Sequence, residues 1–189
     1  MARLTTEGLL AAYRRGLFPM ADPFDESLAF YDADPRGILP LDAVHVPRRL
    51  VRYMKRFELA FDRDFKGVID GCARPVTWIS TEIREAYVAL HHAGHAHSVE
   101  AYQNGRLAGG LYGVQLGGAF MAESMFHVVS NASGACLVKL VDHLKSRGFI
   151  LLDIQQVLPN TARFGAIEIP KAQYLRRLAE ALRLSPAWT

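Results

Sequence analysis

The stretch that most restricts the fold of this chain runs from Leu107 to Phe126 and reads LAGGLYGVQLGGAFMAESMF. It is almost entirely apolar, and its glycine pairs at 109–110 and 117–118 allow either a sharp turn or the close approach of another molecule. A single acid, Glu123, interrupts it. Such a stretch is typical of buried strands, in which a carboxylate needs hydrogen bonds or a compensating charge.

A second apolar run, ILLDIQQV at 150–157, follows a segment with helical spacing. Strand, helix and strand in this order favour a right-handed crossover and parallel pairing. Asp153 and Gln155 are two residues apart, so in a strand their side chains point to the same face. Taken singly, each of these polar residues could have a purely structural role, such as a hydrogen bond that holds a loop in place. Together with Glu123 and the aliphatic residues around them, they predict an apolar pocket with a few convergent polar groups.

Composition excludes several classes of protein. Half of the 189 residues are hydrophobic and 22% are charged, which is typical of a globular chain. Two cysteines, Cys72 and Cys136, give neither a disulfide framework nor metal-ligand spacing, which favours a reducing cytosol. The first residues lack the order of a signal peptide, and no stretch reaches the ~20 apolar residues of a membrane span. We therefore expect a cytoplasmic protein without a membrane anchor.

Local patterns predict a mixed α+β fold. The Asn104-Gly105 pair between two alternating segments is typical of a tight β-hairpin. Residues 18–42, rich in proline and aspartate, are expected to form an irregular connection. We place a domain boundary there, with a small N-terminal domain at 1–34 and a catalytic domain at 35–189. The expected architecture is an antiparallel meander that leads into a parallel pair of strands.

A local excess of positive charge follows that connection. Five cations lie within PRRLVRYMKRF at 47–57, and no acid in the segment offsets them. A solvated helix face would explain them, but phosphate binding is the more specific use of such a cluster. The five residues are Arg48, Arg49, Arg52, Lys55 and Arg56.

Other chemistries find less support. The histidine-rich stretch HHAGHAHS at 91–98 straddles a glycine and has no cysteine nearby, so we expect no metal site. The nucleophile elbow, the P-loop and the dinucleotide fingerprint are all absent. A meander followed by a crossover is also the layout of acetyl-CoA-dependent N-acyltransferases. However, VVSNASGACL at 128–137 lacks their pyrophosphate-binding turn.

Several motifs occur in an order that resembles the leucyl/phenylalanyl-tRNA–protein transferase family. The most specific are HAHSVE, GGLYG and ESMF, and the likeness extends from about Leu9 to Tyr174. Further matching segments are LAAYRRGLFPM, DPRGILPLD, TWI, NAS, LLDIQ and FGAIEIP.

The resemblance implies a cytosolic enzyme that moves leucine or phenylalanine from aminoacyl-tRNA onto proteins that begin with arginine or lysine, with methionine as a further candidate donor. The product would be a degradation signal. No cofactor is expected, and a monomer is the default. The implied fold is an acetyltransferase-like mixed sheet with helices on both faces, preceded by a small N-terminal domain.

The resemblance also implies roles for individual residues. Glu123 would attract the cationic N-terminus of the acceptor, and Gln155 would orient its amine while Asp153 polarises Gln155. The aminoacyl pocket would be formed by Leu111, Phe120, Met125, His127, Leu140 and Leu152. The terminal adenosine would contact Trp78, Met20 and Tyr87. The basic helix would bind phosphates of the tRNA acceptor stem.

This chain departs from the family pattern at several positions. Met20 stands where an aromatic is usual, and AESMFH replaces GESMFS, which brings Ala122 and His127 to the expected pocket. Other departures are Tyr102, Gly134 in place of a lysine, and Asn160 in place of a histidine. They leave two alternatives open: a non-catalytic tRNA-binding relative and a coenzyme-A-dependent N-acyltransferase.

Overall fold

The computed structural model describes residues 4–73 and 75–189. Within them, the helices are α1 (Thr6–Arg14), α2 (Arg48–Met54), α3 (Phe65–Cys72), α4 (Thr81–His92), α5 (Ala132–Arg147), α6 (Pro159–Ala162) and α7 (Lys171–Ala181). The strands are β1 (Phe18–Ala21), β2 (Leu28–Tyr31), β3 (Arg36–Ile38), β4 (Glu58–Phe61), β5 (Ala96–Gln103), β6 (Arg106–Leu116), β7 (Ala119–His127), β8 (Leu151–Gln155) and β9 (Ile167–Ile169). None of these helices has the length and hydropathy that a membrane span requires.

Seven strands form one sheet in the order β4-β5-β6-β7-β8-β3-β9, which confirms the expected mixed α+β class. Its strand pairs are antiparallel except β7 and β8, which run parallel and are joined by α5. The predicted crossover is therefore present. The hairpin at Asn104-Gly105 is also confirmed, because both residues have the positive φ values, 52° and 73°, that a tight hairpin turn requires.

The glycine pair in the middle of β6 admits two helices, one on each face of the sheet. A Cβ atom on Gly109 would lie 2.7 Å from Cβ of Ala132 in α5, and one on Gly110 would lie 2.7 Å from Cγ2 of Val68 in α3. Neither position can hold a side chain without moving a helix. The close approach predicted at this pair is thus that of the chain's own helices.

Helices cover both faces of the sheet and bury two apolar clusters. One cluster contains side chains of α1, α3, α4 and α7. The other contains side chains of α2 and α5. Because Leu9, Leu10 and Tyr13 of α1 belong to the same cluster as Tyr87 and Tyr112, the N-terminal segment shares its core with the large sheet.

The expectation of an irregular connection at residues 18–42 was wrong in part. This segment forms the β1–β2 hairpin and then β3, which enters the large sheet between β8 and β9. Gly37 of β3 pairs with Gln155, and Ile38 pairs with Asp153. A strand of three residues gives too few alternating positions for the sequence to reveal it. Its position matters, because it brings Arg36 against the end of β8.

Candidate active site

A cavity of about 340 Å³ opens where the two parallel strands separate. The pairing of β7 with β8 extends from Ala119↔Leu151 to Met121↔Asp153, and beyond it the strands diverge. Apolar lining is provided by Cys72, Val76, Trp78, Leu111, Ala122, Met125, Leu137, Ile154 and Leu158. Polar lining is provided by Thr77, Glu123, Ser124, Gln155, Gln156, Asn160 and Thr161. This is the apolar pocket with a few polar groups that the sequence predicts.

Glu123 lies on the β7 side of this cavity and is joined to two buried tyrosines. The Tyr87 hydroxyl donates to Glu123 Oε2 at 3.1 Å, and the hydroxyls of Tyr87 and Tyr13 hydrogen-bond to each other. Burial raises the pKa of Glu123 to about 7, and the nearby charge of Asp153 adds to the rise. The two tyrosine hydroxyls oppose it by hydrogen bonding. Glu123 can therefore hold or release a proton near neutral pH.

Gln155 faces Glu123 from the end of β8. One end of its amide lies near two carbonyl oxygens, those of Ala122 at 2.9 Å and Ile154 at 3.1 Å, and only an NH₂ group can donate to both. The other end, 3.3 Å from Glu123 Oε1, is then the amide oxygen. Two oxygens this close need a proton between them, which the protonated carboxyl of Glu123 supplies. In the opposite orientation the amide nitrogen donates to Glu123 but the two carbonyls lose their donor.

Asp153 is fully buried, and each of its two carboxylate oxygens accepts two hydrogen bonds from the protein. Oδ1 accepts from Arg36 Nε and from the backbone N–H of Gln155, both at 2.9 Å. Oδ2 accepts from Arg36 Nη2 and from the Tyr174 hydroxyl, both at 2.7 Å. The contact with Gln155 is thus through the backbone and not through the amide, and it lies beside a left-handed φ of 56° at Gln155. Asp153 holds the backbone from which Gln155 projects.

Arg36 is a residue of this site that sequence reasoning missed. It is 1% exposed, donates from Nη1 to the carbonyl of Gly16 at 2.9 Å, and lies over the ring of Tyr174 at 4.5 Å. Burial alone would lower the pKa of Arg36, but the hydrogen bonds with Asp153 raise it above its usual value. Arg36 and Asp153 are 117 positions apart, so no local pattern could have paired them.

The structure separates the expected pocket residues into two groups. Leu111 and Met125 line the cavity. Phe120, Leu140 and Leu152 do not: each is at most 1% exposed and belongs to the apolar cluster that contains side chains of α2 and α5. His127 is exposed at the end of β7, where its Nδ1 lies 3.2 Å from Ser133 Oγ, and it is also outside the lining. A pocket and a core have the same composition, so apolar residue types alone could not separate these two groups.

A second hollow of about 280 Å³ adjoins the cavity and contains two of the three expected adenosine contacts. Trp78 and Met20 both line it, and the Ala21 N–H donates to the Trp78 carbonyl at 3.1 Å, which fixes β1 beside the indole. Tyr31 lines the same hollow. Tyr87 is different: it is completely buried and bonded to Glu123, so it offers no surface to a base.

The predicted basic helix is α2, which ends at Met54, so that Lys55 and Arg56 directly follow it; all five cations are exposed. Arg49, Arg52, Tyr53 and Arg56 line an open groove. The Arg56 guanidinium lies 4.7 Å from the Tyr53 ring centroid, and Arg49 Nη2 lies 3.3 Å from the Tyr53 hydroxyl. Within the described chain, no carboxylate forms an ion pair with these cations. Their donors are therefore available to phosphate oxygens.

Three side chains with metal-ligand atoms lie close together away from this cavity. Asp62, His91 and His97 bring ligand-type atoms within 4.8 Å of one another. The carboxylate oxygens of Asp62 already contact His97 Nδ1 and the Ser98 N–H, each at 2.8 Å, and His91 Nδ1 lies 2.9 Å from the carbonyl of Ala96. We assign no ion to these atoms, because internal hydrogen bonds occupy them.

This arrangement defines a class of protein. An apolar cavity between diverging strands, with a titratable carboxyl and a fixed amide at its polar side, suits the transfer of an acyl group to an amine. The nearby basic groove adds a surface for phosphates.

Sequence comparison gives the family. The chain matches the family described as leucyl/phenylalanyl-tRNA protein transferase over residues 38–179, and the N-terminal domain of the same family over residues 2–34. The chain belongs to this family.

Relatives support the assignment over nearly the whole length. A leucyl/phenylalanyl-tRNA–protein transferase of Rubrobacter xylanophilus is 54% identical over 190 residues, which cover 98% of this chain and 99% of the relative. Those of Ruegeria pomeroyi and Nitratidesulfovibrio vulgaris are each 50% identical, over 95% of this chain and 87% and 80% of theirs. A solved structure of L-PGS from Bacillus licheniformis aligns with 94% of this chain and 62% of its own at 9% identity and a TM-score of 0.42, too low to assign a fold.

Proposed function

We propose that this protein transfers leucine or phenylalanine, and to a smaller extent methionine, from aminoacyl-tRNA to the N-terminal arginine or lysine of acceptor proteins. The product would mark the acceptor for degradation, and the reaction would take place in the cytoplasm, where charged tRNA is made. One observation carries the proposal: the cavity between β7 and β8 joins an apolar lining to Glu123 and Gln155. Membership of the family supports the same activity.

The donor side chain would enter the cavity. Its lining offers aliphatic and thioether groups, including Leu111, Met125 and Leu137, with Ala122 leaving room beside them. A volume of about 340 Å³ accommodates an unbranched, γ-branched or aromatic side chain together with its ester group. The adjoining hollow at Trp78 would receive the terminal adenosine, where stacking on an indole is favourable for any base.

The reaction is the aminolysis of an ester. The acceptor nitrogen attacks the carbonyl carbon, the N–C bond forms, the ester C–O bond breaks, and the proton that the amine loses ends on the ribose oxygen. A pKa of about 7 makes ionised Glu123 a suitable acceptor for a proton from an α-ammonium, whose usual pKa is about 7.7–8.0. The fixed amide oxygen of Gln155 would accept a hydrogen bond from the same amine and align it. Asp153 would act through the backbone of Gln155 and not as a base.

The overall organisation follows the same proposal. Residues 1–34 would form the N-terminal domain, and residues 35–189 a catalytic domain of the acetyltransferase-like type, active as a monomer. The divergence of two parallel strands beside the site supports that type of fold. The exposed cations of α2 would bind acceptor-stem phosphates of any tRNA, so that selection would depend on the cavity.

The direct test is a transfer assay. Labelled leucine, phenylalanine and methionine are presented as aminoacyl-tRNA, with peptides that begin with arginine, lysine or alanine as acceptors. We expect transfer to the basic N-termini, fastest from leucyl- and phenylalanyl-tRNA. Binding of tRNA without turnover would indicate the non-catalytic alternative, and acetyl transfer from acetyl-CoA without tRNA would indicate the coenzyme-dependent one.

A further inference from the structure

Arg163, the residue that directly follows α6, has no role in the site as described above. Two residues of this short helix, Asn160 and Thr161, line the cavity. Arg163 is exposed, and its guanidinium lies 4.9 Å from the centroid of the Phe164 ring. Because Arg163 lies between the cavity and the basic helix, it is placed where the donor tRNA would pass.

Two distances fix the guanidinium at the junction of α5 and α2. A Cβ atom on Gly134 would lie 3.2 Å from Arg163 Nη2 and 3.4 Å from Cδ2 of Leu50. The guanidinium therefore fills the space outside Gly134 and reaches the helix that carries the basic groove. Gly134 lies one turn before Leu137, a cavity residue, on the same face of α5, which is a rise of about 4.5 Å. The cation thus lies between the cavity and α2.

The guanidinium is held in place but unpaired. The Phe164 carbonyl accepts the His45 N–H at 2.9 Å, which ties the loop to the residues just before α2. In the described part of the chain, no carboxylate lies within ion-pair distance of Arg163, and no hydrogen bond uses its donors. A positioned arginine with free donors is well suited to bind a phosphate through two parallel hydrogen bonds.

We propose that Arg163 binds a backbone phosphate in the single-stranded 3′ end of the donor tRNA. This inference rests on the proposed function, in which the aminoacyl group enters the cavity and α2 binds the acceptor stem. The terminal nucleotides that connect the two must then cross the surface between them, where their phosphates need a cation. Arg163 also accounts for one departure from the family pattern, since it occupies the space into which a lysine at Gly134 would project.

Binding of two tRNAs tests the proposal: uncharged leucine tRNA, and the same tRNA without its single-stranded 3′ nucleotides. We expect Arg163→Ala to weaken binding of the full-length tRNA about threefold to tenfold and to reduce its salt slope by about 0.7, with no effect on the truncated tRNA. Arg52→Ala in the α2 groove should weaken both. Arg147→Ala, an exposed arginine at the far end of α5, is the matched control and should change neither.

A swap tests the position of the charge. The double variant Arg163→Ser with Gly134→Lys should restore most of the lost affinity for the full-length tRNA, because it supplies a cation at the same place from α5. An Arg163→Ala variant that binds the full-length tRNA as the wild type does, or that loses equal affinity for both tRNAs, would overturn the assignment of Arg163 while Arg52→Ala still supports the proposed function. If Arg52→Ala also changes neither affinity, the proposed function fails with it.

Discussion

Two polar clusters flank the end of β8, and each contains a carboxylate. In one cluster the charge of the carboxylate is compensated by an arginine, and in the other, within the part of the chain that the structure describes, it is not. We call Arg36, Asp153 and Tyr174 the locked cluster, because every Asp153 oxygen accepts two hydrogen bonds from the protein. We call Glu123 and Gln155 the open pair, because they line the cavity and Glu123 has no cation within ion-pair distance among the described residues. The same type of side chain is fixed in one cluster and free to change protonation in the other.

The difference shows that burial alone does not mark a catalytic acid. Asp153 is the more deeply buried of the two carboxylates, yet the Arg36 guanidinium compensates its charge. Glu123 lacks that compensation, and burial raises its pKa to about 7. What distinguishes the carboxyl that we propose to react is that, among the described residues, no cation lies within ion-pair distance of it.

The largest expected effect comes from breaking the locked cluster. Arg36→Met leaves the buried charge of Asp153 without its compensating cation, so we expect the free energy of unfolding to fall by about 3–5 kcal/mol. Urea unfolding followed by circular dichroism measures this loss. By the same reasoning, Asp153→Asn should lower stability, because Arg36 then loses its buried carboxylate partner. The double variant Arg36→Met with Asp153→Leu should regain most of the lost stability. Equal stability of the wild type, Arg36→Met and the double variant would contradict this role of the locked cluster.

The open pair should affect rate far more than stability. Glu123→Gln keeps a group that can accept the Tyr87 hydrogen bond but removes the titrating proton, so kcat/KM for transfer should fall about 100-fold or more. In the wild type, kcat/KM should rise with pH through an apparent pKa near 7, and the variant should lose this step. Steady-state assays between pH 5.5 and 8.5 would reveal it, and an unchanged step would exclude Glu123 as its source.

The same residue makes a prediction about stability. The pKa of Glu123 is raised in the folded state, so the folded protein holds its proton while the unfolded chain has already lost it. Its contribution to stability should therefore be complete below pH 4.5 and should decline as pH rises from 4.5 to about 7. Relative to the wild type, Glu123→Gln should be more stable at pH 8 than at pH 5. Thermal unfolding at the two pH values checks the sign.

Within the open pair, the role of the Gln155 amide can be separated from that of its backbone. Gln155→Ala should lower kcat about tenfold to hundredfold, because the attacking amine loses its alignment. Gln155→Asn is the control, since asparagine tolerates the φ of 56° but its shorter side chain cannot reach Glu123. We expect both variants to be slow and Gln155→Asn to be at least as stable as the alanine variant. A fast asparagine variant would show that the backbone conformation is what matters.

The smallest effect concerns the donor side chain. Met125→Ala enlarges the cavity, and we expect it to shift the ratio of phenylalanine to leucine transfer about tenfold toward phenylalanine, with little loss of stability. The matched variant is Leu152→Ala in the core, which should cost about 2–5 kcal/mol of stability and leave the ratio unchanged. Competition between the two charged tRNAs measures both ratios. If the ratio of phenylalanine to leucine transfer shifts only in Leu152→Ala, then Leu152 and not Met125 contacts the donor side chain.

Sequence patterns predicted the parts of this fold that depend on neighbouring residues. The Asn104-Gly105 turn and the β7–α5–β8 crossover have strong local signals. Strand β3 has none, because three residues carry no measurable alternation, and the partnership of Arg36 with Asp153 exists only once the sheet has formed. The sequence therefore predicted that the open pair would face a cavity, but it did not predict the locked cluster beside that pair.

The wall of the cavity shows a second limit of the same kind. Phe120 and Leu152 stand opposite each other in the paired part of β7 and β8, and both point into the core. Ala122 and Ile154 come two residues later, where the strands have separated, and these residues line the cavity. Apolar composition cannot distinguish the two pairs, since the difference depends on where the strands diverge.

Helix α6 is only four residues long, yet one side of it meets the cavity and its end supplies Arg163. Neither α6 nor Arg163 is among the paired positions of β7 and β8. A library restricted to residues 159–163 would change part of the cavity lining and the proposed phosphate contact in a single step. Directed evolution of new amino-acid donors would do well to begin with residues 159–163, which are α6 and Arg163.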